Sequence, residues 1–176
     1  GADSFTREFL QALALFRDGN LPEALKQARA LSAKYPDNVE PIKLMAACYL
    51  AARQWEQAKQ YLDQVLDKKP NEPSAVKNLA RLEMLDGQLD EARGLLEGLI
   101  KAVPTDAEAY VLLARVHERV DGPALATQGL EQALERNPDA LTIRAELARL
   151  YASTGRQERV IELTRVLKDK DFVRDP

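Results

Sequence analysis

AKYPDN at residues 33–38 recurs as DKKPNE at 67–72, KAVPTD at 101–106 and ERNPDA at 135–140. The four prolines, Pro36, Pro70, Pro104 and Pro138, therefore stand at one interval of 34 residues. Two alanine rows keep the same interval: Ala12, Ala46, Ala80, Ala114 and Ala148, and Ala24, Ala58, Ala92 and Ala126. Self-similarity at a fixed period marks stacked repeats, each of which buries its apolar face only against its neighbours. Working outward from the prolines, a single array fills 5–170 as five units: 5–38, 39–72, 73–106, 107–140 and 141–170. Residues 1–4 are left as a tag scar or disordered N-terminus and 171–176 as a tail.

Inside each unit the apolar residues follow a helical period twice, interrupted by a turn. Ile42, Met45, Ala46 and Tyr49 form one stripe; Trp55, Ala58, Leu62, Val65 and Leu66 form the next. Gly19, Gly87, Gly122 and Gly155 fall in the turns, where a left-handed residue ends a helix, while Arg53-Gln54 turns without glycine. The spacing predicts ten helices in five pairs and no strand. Helices of about 14 residues are too short to persist alone in water, so their stability must come from packing. The alanine rows predict close helix crossings, which a larger side chain would overpack. In the first unit Phe9 and Phe16 stand one residue later than the large residues of later units, which predicts an edge unit with a tightened turn. Phe172 stands where the next proline would fall, and Thr164 and Lys168 replace apolar residues of earlier units. The last helix is thus expected to close the array with a partly polar face, Leu163 and Leu167 supplying its apolar side.

Composition narrows the function. The 176 residues are 45% hydrophobic and 30% charged with a net charge of −3, too small to call for a polyanionic partner. No apolar run approaches the roughly 18 residues of a membrane span, so direct membrane insertion is not expected. One His and one Cys exclude a His/Cys metal cluster. No phosphate loop or GxSxG elbow is present, so no catalytic residue, metal site or cofactor is expected. His117 takes the slot of Tyr49 and Tyr151 and reads as a packing side chain, as does Cys48 in its Ala-rich helix.

A large residue, Leu-Ala, Tyr, then Ala and Pro, read here as Ile42, Met45-Ala46, Tyr49, Ala58 and Pro70, and again as Tyr110, Leu113-Ala114, Ala126 and Pro138, resembles the tetratricopeptide repeat (TPR) family. The wording NLARLEMLDGQLDEA at 78–92 and AYVLLARVHE at 109–118 is also similar to long TPR proteins of bacterial envelope and exopolysaccharide systems. The compartment stays open between cytoplasm and bacterial periplasm or envelope. The TPR resemblance implies a right-handed superhelical solenoid whose first helices line a groove for a segment of another protein. It places the residue after each row alanine in that groove: Leu13, Ala47, Arg81, Arg115 and Arg149. Around them stand Phe9, Phe16, Lys43, Lys77, Asn78 and Arg119. The groove is expected to be apolar at its N-terminal end and arginine-lined in its C-terminal half, fitting a partner with acidic residues because a guanidinium forks onto a carboxylate. The alternative for the arginines is surface solvation or pairing with Glu118, Glu146 or Asp106; Arg115→Ala, as an exposed substitution, is expected to stay within about 0.5 kcal/mol. A chaperone-type carboxylate clamp is not implied, because Ala47, Glu108 and Leu112 stand where its Asn, Lys and Arg belong. Two other functions compete with the protein-binding scaffold. One is a structural spacer with weak end-to-end self-association. The other is an RNA-binding helical repeat, which the acidic balance opposes, so no nucleic acid partner is expected.

Overall fold

The residue before a proline is pushed out of the α region by the proline ring. All four repeat-ending prolines use that effect in the computed structural model, which describes residues 2–172 and the side chains of 4–165. Tyr35, Lys69, Val103 and Asn137 are C-caps with φ of −131, −139, −132 and −129°. Each cap N–H still donates to the carbonyl four residues back, on Leu31, Val65, Leu99 and Ala133. The helix stops, and that donor stays satisfied.

Among the described residues there are ten helices and no strand, an all-α helical-repeat solenoid. The first helices of the repeats are α1 (Ala2–Arg17), α3 (Glu40–Ala51), α5 (Pro73–Leu85), α7 (Ala107–Val120) and α9 (Leu141–Ser153). The second helices are α2 (Leu21–Lys34), α4 (Trp55–Lys68), α6 (Leu89–Ala102), α8 (Pro123–Arg136) and α10 (Gln157–Phe172). Two bounds differ from the sequence reading. Residues 2–4, expected outside the array, are helical, because nothing there breaks a helix and Ser4 Oγ donates to Glu8 Oε1 at 2.6 Å. Helix α10 runs past 170 to Phe172, since no proline stands there to stop it.

Four of the five first helices, α1, α3, α5 and α9, end on a left-handed residue, whereas α7 caps on Asp121 at φ −109° and Gly122, at φ 91°, opens α8. Gly19, Gly87 and Gly155 have φ of 79, 81 and 75°, and Arg53, in the same slot, has 56°. The next N–H reaches back five residues, Asn20 to Leu15, Gln54 to Tyr49, Gln88 to Glu83 and Arg156 to Tyr151, at 2.8–2.9 Å. The left-handed residue's own N–H reaches back three, to Phe16, Leu50, Met84 and Ala152, and the two bonds together satisfy carbonyls that the helix end would orphan. The first repeat closes like the third, so its turn is not tightened; Ala12 and Ala24 keep the common register and both are fully buried. Phe9 and Phe16 belong to another, half-buried flank of α1.

Contacts gather into two compact units, Gly1–Leu82 and Glu83–Pro176, where the period alone predicts one array over 5–170. In the first, Ala24, Ala28, Ala46 and Ala58 are at most 1% exposed, and Ile42, Met45, Leu62 and Val65 fill the space they leave. In the second, Ala126, Leu130 and Ala133 of α8 share a core with Ile143, Leu147 and Leu150 of α9. Val160 and Leu163 of α10 lie half-buried against it, and Thr164 is exposed. Leu167 and Lys168 lie outside the described side chains. The second alanine row is fully buried throughout, whereas Ala148, last of the first row, is only half-buried.

Candidate partner-binding site

In the second unit Arg115 forks onto Glu146, Nε to Oε1 at 3.1 Å and Nη2 to Oε2 at 3.0 Å. Arg149 also donates through Nε to Glu146 Oε1 at 3.0 Å, and it forks onto Glu118 at 3.2 and 2.5 Å. Both cross-helix pairs are 31 residues apart, one period less one turn, which is the offset at which α7 and α9 meet. Glu146 is 7% exposed. Burial pushes its pKa up, but hydrogen bonds from Arg115 and Arg149 override that and hold the carboxyl below its ordinary value. The Glu146 bond in turn raises Arg115, and the Glu118 bond, then Glu146, raises Arg149. The guanidiniums stay accessible, at 50% and 46% exposure. Arg119, also exposed on α7, donates to the Met84 carbonyl at 2.8 Å. Asp106, a third candidate acid for the arginines, accepts from the Ala109 N–H at 3.0 Å and caps α7.

The candidates of the first unit are more committed to its own packing. Lys43 lies between Glu72 at 2.8 Å and Glu40 at 3.2 Å. Burial lowers the Lys43 pKa, but those two carboxylates outweigh it and hold the ammonium above its usual range. Glu72 also accepts from Ser74 Oγ and the Ala75 N–H, so Lys43 ties α3 to the start of α5. Arg81 donates to Asn78 Oδ1 at 3.1 Å on the same helix, and Lys77 is half-buried beside them. Phe9, Leu13 and Phe16 share the half-buried flank of α1. The Phe9 ring stacks on Phe5 at 5.5 Å, and Phe5 meets Tyr35 edge-on.

On the other flanks of the first helices a different slot recurs. Tyr49 stacks on Tyr61 with centroids 5.2 Å apart, and Arg29 Nη2 donates to Tyr49 Oη at 2.8 Å. Tyr151 Oη donates to Glu131 Oε1 at 2.5 Å; burial and that carboxylate push the phenol up to about 12. His117 instead bonds Asp121, Nδ1 to Oδ2 at 2.8 Å, and a cavity of about 270 Å³ opens between α6, α7 and α8. Cys48 is fully buried, and burial pushes its thiol up to about 11. Among the described residues no group of three His, Cys, Asp or Glu side chains is placed to hold a metal.

Residues 15–82 match a family model of the tetratricopeptide repeat, and residues 51–120 match one described as the second ARM domain of tetratricopeptide repeat protein 21. A search of curated proteins returns no match. Among solved structures, MamA from Desulfovibrio magneticus RS-1 is 19% identical, the alignment covering 99% of this chain and 98% of that one at a TM-score of 0.72. A tetratricopeptide repeat protein from Parabacteroides merdae is 18% identical over 98% of this chain and 68% of its own, at 0.74. A thermophilic TPR protein of Thermus thermophilus is 19% identical over 90% and 87%, at 0.67. At these identities the likeness is one of fold.

Proposed function

The chain belongs to the tetratricopeptide repeat family, whose members are protein-interaction scaffolds and typically not enzymes, and we propose that it holds a segment of another protein on its first helices without chemistry of its own. The observation that carries this reading is the Arg115–Glu146–Arg149–Glu118 network. A shared buried carboxylate fixes two guanidiniums that remain about half exposed. Their side-chain entropy is lost before a partner arrives, so an incoming carboxylate meets oriented N–H donors. The four charges sum to zero, so attraction at long range is weak and selection is by fork geometry. Glu118, 29% exposed, occupies the Arg149 fork and is the group a partner carboxylate displaces. Among the described residues no helix is long and apolar enough to cross a membrane.

Titration with an acetylated tetraglutamate peptide tests the reading. Glu118→Gln should tighten binding several-fold, and Arg149→Ala should weaken it about tenfold, the scale of one charge-assisted hydrogen bond. Indistinguishable affinities for wild type and Arg149→Ala would remove the arginine face from the function. One observation favours self-association as a second reading: Leu10 on α1 and Ile161 on α10 are 57% and 61% exposed. Light scattering across concentration, on wild type and Ile161→Lys, separates the two.

A further inference from the structure

In the second repeat the space between α2, α3 and α4 is closed by the Tyr49–Tyr61 stack, with Arg29 on its hydroxyl edge. Two periods of 34 later, the positions of Arg29, Tyr49 and Tyr61 read Glu97, His117 and Gly129. The Tyr61 ring has no counterpart, and a Cβ built on Gly129 meets nothing within 4 Å. What stands there is the cavity of about 270 Å³, lined by Glu97, Ile100, Leu113, His117, Gly129 and Arg136 among others. That volume is below the roughly 300–1,000 Å³ of pockets for drug-sized molecules and suits a single side chain.

We propose that this cavity anchors a tyrosine side chain of a partner protein. Its ring lies against His117, as Tyr61 lies against Tyr49, and its phenol O–H donates to Glu97. Ile100 and Leu113 supply the apolar walls, and Asp121 holds His117 in place through Nδ1. The exchange of Arg29 for Glu97 puts an acceptor where the earlier repeat has a donor, with Lys101 and Arg136 also lining the cavity. A guanidinium donates to a phenol oxygen, whereas a carboxylate only accepts and so calls for an O–H. The chain contains that pairing one period further on, where Tyr151 Oη donates to Glu131 at 2.5 Å. Phenylalanine lacks the O–H that Glu97 accepts. Buried aromatic anchors in pockets are also what carries most protein–protein interfaces. The inference rests on the chain being a protein-binding scaffold but not on the arginine face. On α7 the cavity residues lie on the opposite flank from Arg115.

The test is a chemical-shift titration of the whole chain with N-acetyl-tyrosine methylamide, its phenylalanine analogue and p-cresol. Saturable shifts confined to α6, α7 and α8 are expected, with the tyrosine amide bound about threefold or more tighter than the phenylalanine amide. Gly129→Tyr rebuilds the stack from within, so it should abolish these shifts and raise Tm; Gly129→Ala should retain them. Were Gly129→Tyr not to fold, Gly129→Leu, matching Leu95 and Leu163 in the same slot, serves as the plug. The proposal is overturned by absence of saturable shifts, by shifts that survive the plug, or by equal binding of the two amides. A folded Gly129→Tyr with lowered Tm also overturns it, because the cavity then does not accept the ring. Binding of p-cresol without the tyrosine amide assigns the cavity to a free phenol and overturns it too.

Discussion

Glu146 keeps its charge at 7% exposure because two guanidiniums reach it, and that dependence has a sign in pH. Its folded pKa lies below its ordinary value. The stability it contributes is therefore complete above the unfolded value of about 4.3 and is lost as pH falls through the folded one. Glu146→Gln should flatten the acid limb of a plot of urea midpoint against pH; an unchanged limb would contradict the pairing. The same geometry corrects the expectation for Arg115. Its truncation to Ala strips a buried carboxylate of its forked partner, so the cost is about 1–2 kcal/mol rather than 0.5. The arginine row was readable from the period alone. Its alternative, pairing with Glu118 and Glu146, was open in the sequence but undecided, because the 31-residue offset is set by how α7 and α9 pack.

At the scale of the helix, what the sequence made legible was where elements stop. Each pre-proline residue ends a second helix through a local steric effect that needs no tertiary information. Where that signal is missing, at Phe172, the helix simply continues. The turns between helices were legible wherever glycine marked them, and Arg53 shows what glycine spares. It is the described non-glycine residue with positive φ, at 56°, in a slot where Gly19, Gly87 and Gly155 take the same conformation. A side chain there costs about 1–2 kcal/mol, partly offset by the smaller entropy an arginine loses on folding. Arg53→Gly is expected to stabilise the chain by about 0.5–1 kcal/mol in a urea melt, and Arg53→Ala to bring no gain. A Gly variant less stable than wild type would mean that Arg53 is held there by a stabilising contact.

For the whole molecule, one period decides the architecture, since a helix pair that cannot bury its own stripe must stack. The division after Leu82 was not legible, because every repeat carries the same kind of stripe and none is marked as a boundary. The cavity beside His117 was hidden for the opposite reason: it is made by what Gly129 lacks. Cys48, the chain's sole cysteine, has a further use that follows from its burial. A thiol raised to about 11 holds little thiolate at neutral pH, and thiolate is the form that reacts. Modification therefore waits for α3 to leave its neighbours, and the second unit carries no thiol to obscure the signal. Labelling with a chromogenic disulfide should be slow in native buffer and should accelerate with urea. A native rate equal to that of a free thiol would contradict the burial. The molecule thus contains a clock for the opening of one unit, running without any added probe.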